Sequence, residues 1–111
     1  MVLIEMPDGR DWFKANWVFR QLVHDIVRYA PNDREIQECF GEAQALGGLD
    51  LGSIQLPFRK RVTETMIQVI QATKRGELPG WRLEDRDGRA MYLEALAELA
   101  ALLVDESAGE H

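Results

Sequence analysis

Residues that could act as nucleophiles, metal ligands or general bases are few in this sequence and widely spaced. There are two histidines, His24 and His111, and a single cysteine, Cys39. Zinc sites draw on Cys and His ligands a few residues apart, and these three residues have no such spacing. The two serines, Ser53 and Ser107, lie outside the Gly-x-Ser-x-Gly context of a nucleophile elbow. The sequence therefore predicts neither a metal site nor a nucleophilic enzyme.

Carboxylates and glycines also lack the companions that catalysis would need. Glu94 and Glu98 lie four residues apart on a predicted helix and so share a face, but no histidine accompanies them as in helical metal sites. We interpret this pair as a solvated polar strip. The glycine-rich segment 47–52 contains no lysine and follows no predicted strand, unlike a phosphate-binding loop. We therefore expect no cofactor and no enzymatic activity.

Length and charge limit the classes of protein and partner. With 111 residues, of which 46% are hydrophobic, the chain is sized for a single globular domain over residues 1–111. The net charge of −6 argues against nucleic acid or an anionic membrane as the main partner, because both require a positive surface. An acidic surface suits solubility or a basic protein partner.

The cysteine count and the first residues indicate a compartment. One cysteine cannot form an intramolecular disulfide, which excludes a small secreted domain held together by disulfides. The segment Met1–Glu5 has no basic residue before it and no long apolar run after it, so we expect neither a signal peptide nor a membrane anchor. We predict a cytoplasmic protein.

Hydrophobic periodicity predicts a mainly all-α fold, a four-helix bundle-like domain. Pro31 ends the first helix, the pair Gly47 and Gly48 ends the second, and Pro57 fits the first turn of the third. The residues after the fourth helix, 105–111, are polar and are predicted to be a disordered tail. The four helices are predicted at residues 11–30, 32–46, 57–75 and 87–104.

A minor β element is also predicted. Residues 2–6 form an apolar run before a Pro-Asp-Gly turn, and residues 81–84 alternate between apolar and polar side chains. The two runs could pair as a two-stranded sheet beside the helices. Residues 4–10 weakly resemble residues 83–89. We attribute this resemblance to chance, because Asp-Gly is common turn chemistry.

One face of the predicted first helix combines aromatic and cationic residues. Phe13 and Trp17 fall on the side opposite the broad apolar stripe and share it with Arg20 and His24. Aromatic and arginine side chains anchor many protein interfaces, so these four residues are candidates for partner binding. The alternative is that the N-terminal strand or the loop at 49–56 covers the two aromatic rings.

The fourth predicted helix is apolar on two sides. Only Glu94, Glu98 and Asp105 form a polar strip, and leucines and alanines occupy most of the remaining surface. Such a helix is either sandwiched within the domain or shared with a partner. Because burial on both sides is hard to arrange in a small domain, we predict a homodimer through helix 87–104.

Positive charge is concentrated at the start of the third helix. Arg59, Lys60 and Arg61 lie in its first two turns, where cations oppose the helix dipole. One interpretation is pairing within the chain, with Asp50, Glu64 or acids of the fourth helix. The other is an anion-binding or acidic-partner patch at a helix N-terminus.

These observations favour a small, soluble, non-catalytic protein–protein interaction module, such as an acidic inhibitor or an immunity-like protein that blocks a basic partner. The alternative is a dimeric helical transcriptional or nucleic-acid-associated regulator that uses the basic third helix. The second predicted helix is a poor candidate for a recognition helix, because it carries Arg34 against Glu35, Glu38 and Glu42, so the third helix would have to read the nucleic acid.

Overall fold

A computed structural model describes residues 1–77 and 86–109 and shows four helices with a small three-stranded sheet. The mostly helical class is therefore confirmed, whereas the four-helix bundle stays a prediction. The strands are β1 (Val2–Glu5), β2 (Asp11–Lys14) and β3 (Gly48–Asp50), and a 3₁₀ turn covers Leu51–Ser53. The helices are α1 (Asn16–Tyr29), α2 (Arg34–Leu46), α3 (Leu56–Lys74) and α4 (Arg86–Gly109).

The prediction of a helix from residue 11 is wrong for its first turn, because residues 11–14 form strand β2. The turn before it bends the chain back: the Met6 backbone N–H donates to the Arg10 carbonyl at 2.8 Å, and Asp8 accepts from the Arg10 N–H at 3.0 Å. In β2 a buried Trp12 stands between exposed Asp11 and Phe13, which is the period of a strand. Helix α1 therefore begins only at Asn16.

The sheet has the order β2-β1-β3, with β2 antiparallel and β3 parallel to the central strand. Trp12, Ile4 and Leu49 stand in register in one row and are buried. The alternate residues point to the other side, which we call the outer sheet face. Its residues form two rows across the three strands, Phe13–Leu3–Gly48 and Asp11–Glu5–Asp50.

Residues 81–84, which are predicted to pair with residues 2–6, lie outside the part of the chain that the structure describes. Strand β1 pairs with β2 and β3. Two glycines make the β3 pairing possible. Gly47 ends α2 with a φ of 81°, a conformation that suits glycine, and a Cβ on Gly48 would lie 2.6 Å from the Leu3 carbonyl oxygen.

Helix α1 lies against the core. The residues of its predicted apolar stripe are buried except for Val27, which lies at the edge of the stripe. The buried members are Val18, Phe19, Leu22, Val23 and Ile26. Helix α2 begins after Asp33, whose carboxylate accepts from the Ile36 backbone N–H at 3.2 Å and caps the helix. The apolar stripe that helical periodicity predicts for α2 comprises Ile36, Cys39, Phe40, Ala43 and Leu46. It is wrong at its end, because Leu46 is 84% exposed. The buried residues of the helices and the inner row of the sheet form one core.

Helix α4 extends beyond its predicted end. The expected tail from residue 105 is helical as far as Gly109, and Asp105 accepts from Arg10 Nη1 at 3.2 Å. The helix contacts α3 and β2. Leu96, Leu99 and Leu103 are buried in the core, whereas Met91 and Val104 are exposed, so its apolar surface is only partly covered within the chain. Among the described residues, no helix is both long and apolar enough to cross a membrane.

Candidate functional site

The surface around Trp17, in the first turn of α1, contains two adjoining depressions. One has a volume of about 390 Å³ and is lined by Trp17, Arg20, Gln21 and His24. The other has a volume of about 210 Å³ and lies between the start of α1 and α4, with Met91 and Glu98 in its lining. Trp17 lines both depressions, and we call the two together the Trp17 surface.

The pitch of α1 brings the lining residues of the first depression together. Residues three, four and seven positions apart share one face of a helix, which aligns Arg20, Gln21 and His24 with Trp17. The indole is half-buried, and its ring centroid lies 6.3 Å from that of Tyr92 on α4, with the planes tilted by 39°. The Tyr92 contact restrains the indole while part of it faces solvent.

Three of the four residues predicted for partner binding, Trp17, Arg20 and His24, thus lie together. The prediction that Phe13 shares their helix face is wrong, because Phe13 belongs to β2. There it stands on the outer sheet face with 54% of its surface exposed. The partial cover over Trp17 comes from Tyr92 of α4, an element that the sequence reasoning did not consider.

The second depression combines an apolar side chain with charges of both signs. Met91 is 59% exposed, and Lys14 forms an ion pair with Glu98 across the depression wall. Glu94 also lines it and is exposed. The predicted carboxylate strip of α4 therefore borders the Trp17 surface, and one of its members is neutralised by a lysine from β2.

Beneath the Trp17 surface lies a buried carboxylate that sequence reasoning missed. Asp25 is fully buried and accepts hydrogen bonds from the Tyr92 hydroxyl at 2.8 Å and from Gln21 Nε2 at 3.1 Å. Burial raises the pKa of Asp25, and the two hydrogen bonds partly oppose that rise. A signal was available, because Asp25 falls beside Ile26 and three residues after Leu22, within the apolar stripe.

Tyr92 is the matching member of this pair. Burial, together with the carboxylate of Asp25, raises the pKa of the Tyr92 hydroxyl, so the phenol stays protonated and donates. Tyr92 thus supports Trp17 through its ring and Asp25 through its hydroxyl. This polar link across α1 and α4 holds the floor of the Trp17 surface in place.

The basic residues of α3 are mostly engaged within the chain. Arg59 donates from Nε to the Ile54 carbonyl at 3.1 Å. Arg61 donates to Asp33 at 2.6 Å and lies 3.5 Å from a Glu35 oxygen. The expected partners of this patch, Asp50, Glu64 or acids of α4, are therefore wrong for Arg61, which pairs with the start of α2.

Arg61 also contacts an aromatic ring and affects the ionisation of Asp33. The Arg61 guanidinium carbon lies 5.3 Å from the centre of the Phe58 ring, and its hydrogen bond lowers the pKa of Asp33. Lys60 is exposed. Of the three predicted patch residues, Lys60 alone has no contact with another described side chain or carbonyl that fixes its charged end.

The described side chains do not assemble a metal-binding set. Within residues 1–77 and 86–109, no group of three or more His, Cys, Asp or Glu side chains is placed to hold a metal ion. Asp25 is held by two donors under the surface, and His24 is exposed above it. The Trp17 surface could contact a ligand through its two depressions, its exposed aromatic area and its charged side chains.

Comparisons with known proteins add no function to this picture. No protein-family model, curated protein or solved structure matches the chain. The function is therefore argued from the geometry and chemistry of the chain's own residues.

Proposed function

We propose that the chain is a non-catalytic protein-binding module that engages its partner through the Trp17 surface. The observation that carries this proposal is the half-buried indole of Trp17 standing between two adjoining depressions. Exposed Arg20 and Met91 lie on either side of it. Trp, Arg and Met are enriched in protein interfaces, and anchoring residues occupy well-packed pockets near the interface centre.

The architecture of the site favours a protein over a small molecule. Both depressions are partly open to solvent, whereas small-molecule sites enclose most of the ligand surface. Side chains of a partner could enter both depressions at once and cover the indole between them. The supporting link between Tyr92 and Asp25 keeps Trp17 in position before binding, which lowers the ordering cost of association.

The net charge of −6 suggests the chemistry of the partner. An acidic surface accelerates association with a basic protein and disfavours acidic competitors. An acidic inhibitor or immunity-like protein fits this description, with the partner's basic surface covered by the complex.

Two other proposals have weaker support. The homodimer through helix 87–104 rests on a helix that is apolar on two sides, and its residues Leu96, Leu99 and Leu103 already belong to the core of the chain. The nucleic-acid regulator relied on the basic third helix, and Arg59 and Arg61 already bond to groups of the same chain.

A matched pair of variants on α4 tests the Trp17 surface. Met91→Ser changes an exposed residue of that surface, and Val104→Ser changes a residue of similar exposure (59% and 52%) elsewhere on the same helix. Both side chains are exposed, so we expect both variants to fold. Wild type and variants would be immobilised and exposed to native extract, and captured proteins would be quantified by mass spectrometry.

The proposal expects a protein that is enriched by wild type and Val104→Ser but depleted at least fivefold by Met91→Ser. Calorimetric titration with that purified protein would then show the same order of affinities. Equal capture by both variants, or no enriched protein, would contradict binding at the Trp17 surface.

A further inference from the structure

A groove that shares no lining residue with the Trp17 surface lies between α2 and the strands β1 and β3. It has a volume of about 410 Å³, and we call it the acidic groove. Leu3 of the outer sheet face, Ala43 and Leu46 supply apolar lining. Leu46 is 84% exposed although it ends an otherwise amphipathic helix, so an apolar side chain stands in solvent at the groove edge.

The polar lining of the acidic groove has one sign of charge. Glu5, Glu42 and Asp50 come from β1, α2 and β3, and among the described residues no lysine, arginine or histidine lines the groove. In the described part of the chain, no cation lies within ion-pair distance of Glu5 or Glu42. The Asp50 side chain accepts from the Gly52 backbone N–H at 3.0 Å, which fixes its position but leaves its charge uncompensated by any described cation.

The sheet register makes this charge arrangement costly for the free protein. Glu5 stands directly opposite Asp50 on one neighbouring strand and Asp11 on the other. Like charges in such cross-strand positions destabilise a sheet. A cationic group placed in the groove would relieve the repulsion, so the charge pattern is complementary to a positively charged occupant.

We propose that the acidic groove binds a segment of a partner protein in which lysine or arginine residues adjoin leucine-like side chains. The apolar side chains of such a segment would cover Leu3 and Leu46, and its cations would lie among Glu5, Glu42 and Asp50. A second copy of this chain is disfavoured because each copy carries a net charge of −6, and Arg59 and Arg61 of its basic segment already bond to groups of their own chain. Nucleic acid would be repelled. This binding does not depend on the Trp17 surface, since the two sites share no lining residue.

The test uses a fluorescein-labelled synthetic peptide of alternating lysine and leucine, with the intact chain titrated against it in fluorescence anisotropy. Peptides of alternating lysine and serine, and of glutamate and leucine, serve as composition controls. The groove variants are Glu5→Gln and Leu46→Ser. Their matched controls are Glu64→Gln on α3, which removes the same charge, and Leu56→Ser, which removes an exposed leucine outside the groove.

The proposal expects the lysine–leucine peptide to bind more tightly than either composition control. Glu5→Gln should raise its Kd about threefold and Leu46→Ser about tenfold, while both matched controls stay within twofold of wild type. Glu5→Gln should also raise the Tm, because the cross-strand repulsion falls. Weaker binding together with higher stability distinguishes a binding role of Glu5 from a structural one.

Several results would overturn the proposal. Equal loss in Glu5→Gln and Glu64→Gln would mean that net charge alone attracts the peptide, and equal binding of the lysine–serine peptide would mean that the apolar lining is unused. Absence of binding by the wild type would also refute it. Met91→Ser should leave the peptide Kd unchanged, so failure at the Trp17 surface and failure at the acidic groove are separable.

Discussion

Replacing Tyr92 with phenylalanine tests the buried link between α4 and α1. The change removes only the hydroxyl that donates to Asp25 at 2.8 Å, and it leaves Gln21 as the remaining side-chain donor to a fully buried carboxylate. Hydrogen bonds to charged groups contribute about 1.5–3 kcal/mol. We expect Tyr92→Phe to lower the free energy of unfolding by about 2 kcal/mol at pH 7, which for a domain of this size lowers the Tm by roughly 8 °C.

The loss should depend on pH, and its sign follows from the pKa of Asp25. Burial raises that pKa above its ordinary value of 3.8, so the folded chain binds the proton more tightly than the unfolded chain. The stability contributed by Asp25 is therefore fully present below about pH 3.8 and is lost as pH rises through the folded-state pKa. Tyr92→Phe removes a donor that favours the carboxylate, so its penalty should grow as pH rises.

Asp25→Asn separates the buried charge from the hydrogen bonds. Asparagine keeps an acceptor for the Tyr92 hydroxyl, and its amide can donate to Gln21 after the Gln21 amide flips. We expect Asp25→Asn to abolish this part of the pH dependence. In that background Tyr92→Phe should cost about 1 kcal/mol, because the lost hydrogen bond is then between neutral groups.

Urea unfolding followed by tryptophan fluorescence from pH 4 to pH 8 measures all four members of this cycle. A pH-independent loss in Tyr92→Phe, or an unchanged pH profile in Asp25→Asn, would refute the assigned link.

Three further substitutions test the sheet and the ion pairs by the same urea unfolding. Gly48→Ala should cost about 2 kcal/mol, since a Cβ would meet the Leu3 carbonyl oxygen at 2.6 Å; an unchanged midpoint would contradict the β1–β3 register. Trp12→Phe removes the donor to the Ala95 carbonyl at 2.9 Å and should cost about 1–2 kcal/mol, whereas a loss below 0.5 kcal/mol would count against that bond. Arg61→Ala breaks exposed ion pairs and should lower the free energy of unfolding by less than about 1 kcal/mol in low salt, and by less still in 1 M salt. A larger loss of stability that does not depend on salt would indicate that Arg61 has a packing role.

Periodicity was sufficient to place two of the four helices closely. Helices α2 and α3 begin and end within two residues of their predicted bounds, because proline and glycine mark their ends and a narrow apolar stripe marks their faces. The start of α1 was misjudged since Trp12 and Phe13 also fit a helical pattern when read together with Trp17. Only the pairing with β1, a tertiary contact, decides in favour of a strand.

Some residues of the candidate site could be predicted from helical spacing, and others depend on tertiary packing. Trp17, Arg20 and His24 were found because helical spacing alone places them on one face. The acids that pair with Arg61 could not be found, since the choice of Asp33 and Glu35 depends on how α3 packs against the start of α2. Asp25 is intermediate: its position in the apolar stripe was visible in the sequence, but its hydroxyl donor lies 67 residues away.

Because β1 is the middle strand of the sheet, the order in which the polypeptide is synthesised matters. β1 leaves the ribosome early and can form its hairpin with β2 at once, since a short turn joins them. The other edge of β1 can pair only after β3 has been synthesised. That pairing closes a loop of about 45 residues that contains α1 and α2. Until then the growing chain presents an open strand edge that nascent-chain chaperones or a neighbouring copy could occupy.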